Sequence, residues 1–395
     1  AGQPLLARQP FAPGDFDEVI LGCMMPSEDE ANIGRVAALR LGCGDRVPAW
    51  TVQRNCASGM QSIDSAAQNI ASGRSGLVLA GGVEAMSRAP ILYNSTMVNW
   101  LAAMAMSRSV PAKLKTLASL RPGHFKPVIA LLRGLTDPIV GLSMGQTAEI
   151  LAHRFGITRE MMDSFAVRSH LRLDSAHKQG FLGEIEPLYD THGNVYDHDD
   201  GVRPDSSMEK LAKLRPVFDK PVGNVTAGNS AQITDGAAWL ILASEDMVAR
   251  HNLPVMGQLI DSQWAGLDPA QMGLGPSYAM APIMQRHGLD TPDLDYIEIN
   301  EAFAAQVLAC LAAWKDADFC REELGRDSAF TPIDEERLNI DGGAVAVGHP
   351  VGSSGARIVL HLLNVLQRKD ARRGMASICI GGGQGGAILI ERTTG

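Results

Sequence analysis

Short apolar runs alternate with amphipathic ones from the start of the chain. Glu18-Val19-Ile20-Leu21-Gly22 reads as a strand and Asn32 to Leu41 as a helix. Ala49-Trp50-Thr51-Val52-Gln53 reads as extended, Met60 to Ala71 as a helix, and Leu77-Val78-Leu79-Ala80 as a strand closed by Gly81-Gly82. This alternation predicts an α/β fold. The figure returns near the end of the chain. Gly352-Ser353-Ser354-Gly355 reads as a turn opening a helix from Ala356 to Gln367, and a strand from Ala376 to Ile380 closes on Gly381-Gly382-Gly383. Cys56-Ala57-Ser58-Gly59 matches Gly352-Ser353-Ser354-Gly355, with helix, strand and glycine pair following in both. A duplicated unit is the simplest account.

The middle breaks this grammar. Residues 89–216 alternate less and hold polar, turn-rich stretches such as Asp197-His198-Asp199-Asp200-Gly201, with a helix predicted over Arg159 to Gln179. They read as an excursion inserted into the first half, which resumes with strands at Val225-Thr226-Ala227-Gly228 and Ala238 to Leu242. The second half restarts after Pro254, and Asp295 to Asn300 predicts a strand feeding a helix from Ala302 to Trp314. The charged residues 315–337 read as a surface insertion. The expected organisation is therefore 1–88 and 217–250 for the first half, 89–216 for the inserted loop domain and 251–395 for the second half.

Composition narrows the class. The chain has 395 residues, 45% hydrophobic and 20% charged, which suits a soluble protein with more than one packed unit. A net charge of −9 argues against nucleic-acid binding. Six cysteines without CxxC or metal-ligand spacing argue for a reducing compartment, and no metal site is expected. The apolar runs are too short to span a bilayer and the chain opens without a basic-then-apolar leader, so a cytoplasmic enzyme is the starting expectation.

Candidate chemistry collects where strands end. Cys56 lies between a strand and a helix, where free backbone N–H groups favour a thiolate, and the small neighbours Ala57, Ser58 and Gly59 leave it accessible. Alone it is more commonly a buried, inert thiol. Asn300 and Glu301 stand at a strand-to-helix junction, His349 lies between Gly348 and Pro350, and Cys379 ends a strand before the glycine triplet. A cysteine nucleophile needs a base, which His349 suits, and Cys379 suits proton transfer to or from carbon. The backbone N–H groups of Cys56 and Gly381 suit an oxyanion. Gly381, Gly383 and Gly386 spell GxGxxG, but the following Ala387 to Ile390 reads as a strand, whereas a dinucleotide fingerprint opens a helix. Cys23, Cys43, Cys310 and Cys320 read as buried or incidental thiols, and His192 and His198 as members of a solvated loop.

The blocks Asn55-Cys56-Ala57-Ser58-Gly59, Asn300-Glu301-Ala302-Phe303, Gly342-Gly343-Ala344 through Gly348-His349-Pro350, and Cys379 to Gly383 resemble the four signature blocks of the thiolases, in order. Met144 to Glu149, Lys213 to Pro216, Thr226 to Asn229 and Met272 to Pro276 extend the likeness over nearly the whole chain. The resemblance implies the thiolase fold, two similar halves in a layered α-β-α-β-α arrangement with an inserted loop domain. It implies an acetyl-CoA acyltransferase that cleaves 3-oxoacyl-CoA with CoA or runs the reverse Claisen condensation. On this likeness Cys56 is acylated, His349 activates it, Cys379 moves the α-proton, and Asn300 holds a water that, with the histidine, stabilises the enolate oxygen. Arg203, Ser230, Met144 and Met272 match positions lining the CoA or acyl tunnel. CoA is a substrate, no cofactor is needed, and a homodimer or homotetramer is implied. A β-ketoacyl synthase would pair its cysteine with two histidines, or a histidine and an asparagine, which Cys379 argues against; a non-catalytic lipid-binding relative would not need Cys56, His349 and Cys379 together.

The chain departs from the family in places. It opens at Ala1-Gly2-Gln3 without the usual first strand and its Arg-Thr-Pro segment, so either the sequence is truncated or an edge of the first sheet is expected to be missing. Ser143 stands where biosynthetic members often carry histidine, and Ala231 where many carry serine. The 315–337 insertion resembles that of the β-subunits of trifunctional fatty-acid oxidation complexes. From Ala85 to Thr136 there is no Asp or Glu, while Arg88, Arg108, Lys113, Lys115, Arg121, Lys126 and Arg133 are basic. Residues 111–134 mix apolar and cationic side chains as interfacial helices do, which suits contact with an anionic membrane or an oxidation-complex partner. The more ordinary reading is a helical lid over the acyl pocket.

Overall fold

The structure is a computed structural model that describes residues 1–393; the last two residues of the expected second half, 394–395, lie outside the described residues. Two four-stranded mixed sheets form its frame. The first runs in the order β2 (Ala49–Val52), β1 (Glu18–Gly22), β3 (Leu77–Ala85), β4 (Asp235–Ala243), with β4 antiparallel and the rest parallel. The second runs β6 (Tyr296–Ile299), β7 (Arg373–Ile380), β8 (Gln384–Glu391), β5 (Gln258–Gly266), with β6 and β7 parallel.

Both sheets are buried on both faces, and alternation along the strands shows it. In β3, Val78 and Ala80 join the core between the sheets, while Leu77 and Leu79 face an outer core with Phe11 and Phe16. In β8, Ile388 and Ile390 point inward, whereas Ala387 and Leu389 point to a second outer core. Between the sheets lie the helices α1 (Ser58–Ala71) and α6 (Val351–Arg368). They approach closely: a Cβ on Gly59 would stand 2.9 Å from Gly352 O, and one on Gly355 2.6 Å from Met60 N. Helices α4 (Gly275–His287) and α5 (Ala304–Lys315) cover the far side of the second sheet. The result is the α-β-α-β-α layering expected for this chain.

Several expectations shift. The strand read as closing at Gly81-Gly82 continues to Ala85, because β4 pairs along its full length. The Gly352–Gly355 turn is the first turn of α6, and only Pro350 precedes that helix. Val225 to Gly228 is no strand; one bridge joins Thr226 to Pro216. The 315–337 insertion is anchored, with a helix over Ala317–Leu324 burying Phe319 and Cys320. Within the inserted segment, α2 (Met144–Arg154) and α3 (Arg159–Lys178) supply Leu151, Met162 and Phe165 to the second half's outer core. Residues 91–134 behave differently: the helices Val110–Ala118 and Ala130–Gly134 bury no residue.

Candidate active site

Cys56 sits two residues before α1, part-exposed, in a loop pinned from several sides. Asn55 adopts φ +45°, a left-handed conformation that asparagine tolerates better than most residues. Its Nδ2 donates to Gly381 O at 2.8 Å, and Ser58 Oγ donates to Asn55 O at 2.7 Å. The first bond ties the cysteine loop to the glycine triplet after β7. Two backbone N–H groups, those of Gly381 and of Cys56 itself, favour the ionised form of the Cys56 thiol. They were the oxyanion donors expected from the sequence.

The thiolate expectation for Cys56 is not met. Burial pushes the thiol pKa above its ordinary value, the two N–H groups oppose that, and the Glu84 charge adds to it. Desolvation outweighs the helix-end field, so the resting group is a thiol. Cys379, fully buried at the end of β7, is held well above the ordinary range by burial and then by the proximity of Cys56 and Cys310. The two thiols are electrostatic neighbours.

His349 is buried, and burial followed by the charge of Arg357 pulls its pKa down to about 4, so it is neutral near pH 7. Its backbone N–H donates to Gln232 O at 3.0 Å. The Nδ1 atom lies 2.6 Å from Ser354 Oγ, which in turn donates to Pro350 O at 3.1 Å. A hydroxyl has one proton; given to Pro350 O, it leaves an acceptor for Nδ1–H and puts the free lone pair on Nε2. Asn300 extends the ladder through its N–H to Ser377 O, and its Nδ2 lies 3.5 Å from His349 Nδ1. Asn300 Oδ1 and His349 Nε2 are both buried without a partner, the usual mark of a spot for a bridging water or substrate oxygen.

Met144 begins α2, with its sulfur against Gly381, and Ser143 caps that helix, accepting from Gln146 N–H. Met272 lies buried in the core cluster that also holds Cys379 and borders Met144. Arg203 stands apart from the thiols. It lines a cavity of about 410 Å³ with His170, Ser206, Lys210, Ala227 and Gly228. The chain from Ala227 to Gln232 joins this cavity to the thiol site, because Gln232 O accepts from His349 N–H. Ser230 and Ala231 lie between; the former donates to Thr226 O and the latter to Ala302 O. His192 and His198 are exposed, and no metal-binding group of three or more His, Cys, Asp or Glu occurs among the described residues.

Sequence reasoning placed Glu301 at the strand-to-helix junction without a role and missed a second buried carboxylate, Glu84. Glu301 accepts from Asn339 Nδ2, Ser169 Oγ and Val345 N–H, which fixes the loop leading to His349. Glu84 ends β3 and accepts from three backbone N–H groups. An acid following an apolar strand with two glycines was the available signal.

Residues 1–246 match the sequence model of the thiolase N-terminal domain and 253–392 that of the C-terminal domain. The 3-ketoacyl-CoA thiolase of Shewanella loihica is 37% identical, over 98% of this chain and 90% of the relative. The beta-ketoadipyl-CoA thiolase of Pseudomonas aeruginosa is 38% identical over 99% of this chain and 92% of its own. The crystal structure of human mitochondrial 3-ketoacyl-CoA thiolase in complex with CoA superposes with a TM-score of 0.84 at 35% identity, covering 100% of this chain and 90% of that one. The acetyl-CoA acetyltransferase of Bacillus anthracis superposes at 0.85 with 36% identity, covering 99% and 91%.

Proposed function

The chain belongs to the thiolase family, and from that premise we propose that Cys56 is its acylated nucleophile, His349 the base, Cys379 the proton carrier and Asn300 a holder of the enolate oxygen through water. The family activity is thiolytic cleavage of 3-oxoacyl-CoA by CoA, or its reversal. Cys56 gives its proton to His349 Nε2 and its sulfur bonds to the C3 ketone carbon. The alkoxide is received by the N–H groups of Cys56 and Gly381. Collapse breaks the C2–C3 bond, and the acetyl-CoA carbanion takes the Cys379 proton. CoA thiol then returns a proton to Cys379 and attacks the acyl group, and Cys56 leaves with the proton from His349. Both thiols end as they began.

The observation that carries this reading is the tie of the Cys56 loop to the glycine triplet after Cys379, Asn55 Nδ2 donating to Gly381 O at 2.8 Å, together with the buried and unpartnered His349 Nε2 and Asn300 Oδ1. Arg203, Lys210 and Ser206 are read as binding CoA's phosphates, and Ser230, Met144 and Met272 as lining the pantetheine and acyl path. Radiolabelled acetyl-CoA is expected to acylate Cys56, and Cys56→Ala to abolish labelling; a label that survives would remove the assignment.

A homodimer or tetramer and a cytoplasmic location complete the proposal, the latter supported by six unpaired thiols. No described helix is long and apolar enough to cross a membrane. For the inserted segment the outward side chains favour surface contact over the lid. Thirteen large apolar residues between 91 and 139 are exposed, among them Ile91, Met106, Val110 and Ile139, in a stretch nearly devoid of acids. A second copy seated on this face by two-fold symmetry would oppose like charges. An anionic membrane matches both features. The chain is expected to pellet with anionic but not zwitterionic vesicles, and Lys113→Glu with Lys115→Glu to abolish that. Equal pelleting of variant and parent would overturn it, as would capture by an oxidation-complex protein alone.

A further inference from the structure

Glu84 is 1% exposed at the C-terminal end of β3. A carboxylate buried so fully is tolerated only where donors surround it. Its donors come from both halves of the molecule. Met24 N–H donates to Oε2 at 2.9 Å and Met25 N–H to Oε1 at 3.1 Å, both from the loop after β1. Gly352 N–H donates to Oε2 at 3.0 Å from the first turn of α6, directly behind His349-Pro350. The Cys23 thiol lies 3.6 Å from Oε1. One side chain therefore bolts the strand ends of the first half to the start of the histidine's helix, where a negative charge also complements the helix dipole.

The same charge reaches Cys56. Cys379 from β7 also senses the Cys56 thiol, while on His349, ahead of α6, Arg357 acts with the opposite sign. Burial first, then the charge of Glu84 on the thiol and of Arg357 on the imidazole, disfavour a resting thiolate–imidazolium pair.

We propose that Glu84 is a positioning residue of the thiolase reaction: it fixes the start of the His349 helix against the strand ends of the first half, from which the Cys56 loop departs. The inference rests on the assignment of Cys56 and His349 above.

Two variants separate reach from charge. Glu84→Gln keeps the length and removes the charge. Glu84→Asp keeps the charge and draws back from Gly352. Iodoacetamide alkylation of Cys56 against pH, read by peptide mass spectrometry, reports the thiol, because Cys56 alone of the six is not buried. In folded Glu84→Gln the alkylation midpoint is expected to fall, with kcat down about tenfold or more. In Glu84→Asp kcat is expected to fall similarly, with a smaller shift of the midpoint. A folded Glu84→Gln with the parent's midpoint overturns the proposal, since a merely structural role lowers Tm and kcat without moving it. Should Glu84→Gln not fold, parental kcat in Glu84→Asp overturns it instead. Failure of acetyl-CoA to label Cys56 in the parent protein removes the underlying assignment, whatever the Glu84 variants do.

Discussion

Aligned without gaps from the match of Cys56 with Gly352, the two halves set Gly59 against Gly355, Leu77 against Arg373, Gly81 against Ser377 and Val83 against Cys379. The strand pairing keeps step: Leu21 lies opposite Gly81 as Ile299 lies opposite Ser377. On this common skeleton the chemistry is divided. At the helix start the first half has Cys56 where the second has Gly352. At the strand ends the second half has Asn300 and Cys379 where the first has Gly22 and Val83. The edges differ too. Strand β5 covers β8, while β4 carries no partner on its outer side among the described residues; the counterpart of β2 in the second half is reduced to a bridge between Leu338 and Ile297. On the proposed roles, one half offers the acyl carrier and the other the groups that move protons. The reacting atoms meet only because α1 and α6 interlock, so the interface between halves is part of the site.

The largest test of this division separates the thiols. Cys379→Ala is expected to cut turnover on the order of a thousandfold while Cys56 still takes the acetyl label, because transfer to the carrier does not need the strand-end thiol. His349→Ala is expected to slow both steps. Stopped-flow labelling with acetyl-CoA beside steady-state thiolysis measures the two. Equal loss of labelling in Cys379→Ala and Cys56→Ala would erase the division.

The interlock itself comes next. Gly355→Ala places a Cβ against Met60 N, and Gly59→Ala one against Gly352 O and Ala356 N. Each is expected to cost about 1–3 kcal/mol of stability by overpacking, and to lower activity in both half-reactions together. Chemical denaturation measures the first. A stable Gly355→Ala with one half-reaction selectively impaired would mean the helices transmit something other than position.

The sequence makes the site legible where it is punctuated. Glycines, prolines and polar residues at strand ends announced Cys56, Asn300, His349 and Cys379, and the structure brings Asn300 to His349 and Cys379 to Cys56. What was hidden has non-local causes. Gly81 and Gly82 looked like a strand's end and a match for the later glycine triplet; they lie inside β3, and under the structural register the two sets of glycines do not coincide. The helix-end argument for a Cys56 thiolate was sound locally but left out the burial imposed by the other half. Glu84 gave no role from sequence because its partners, Met24, Met25 and Gly352, come from distant points of the chain. The share of α2 and α3 in the second half's core was likewise invisible, since an amphipathic face does not name what it covers.

The smallest expected effect concerns what each half buries beneath its central helix. Ile20 and Ser65 of the first half correspond to Glu298 and His361 of the second. His361 Nδ1 lies 2.5 Å from Glu184 Oε1 and its Nε2 3.3 Å from Asp341 Oδ2, with Glu298 Oε1 at 4.0 Å. Arg368 pairs with Asp341, and Arg357 acts on Glu298. Burial alone would lower the pKa of His361, but hydrogen bonds with Asp341 and Glu184 carry it up to about 10; burial raises that of Glu298 to about 7. Both folded values exceed the ordinary ones, so both contributions to stability are complete at low pH and lost as pH rises. The window for Glu298 runs from about 4.5 to about 7, and that for His361 from about 6.5 to about 10. The melting-temperature deficit of His361→Gln is therefore expected to be greatest near pH 6 and to shrink toward pH 10, while Glu298→Gln gains on its parent between pH 4.5 and 7. Ile20→Val, worth about 1 kcal/mol, is expected to carry the same deficit at every pH. A flat profile for His361→Gln, or a sloping one for Ile20→Val, would mean that the buried charges do not set the pH response of the second half apart from that of the first.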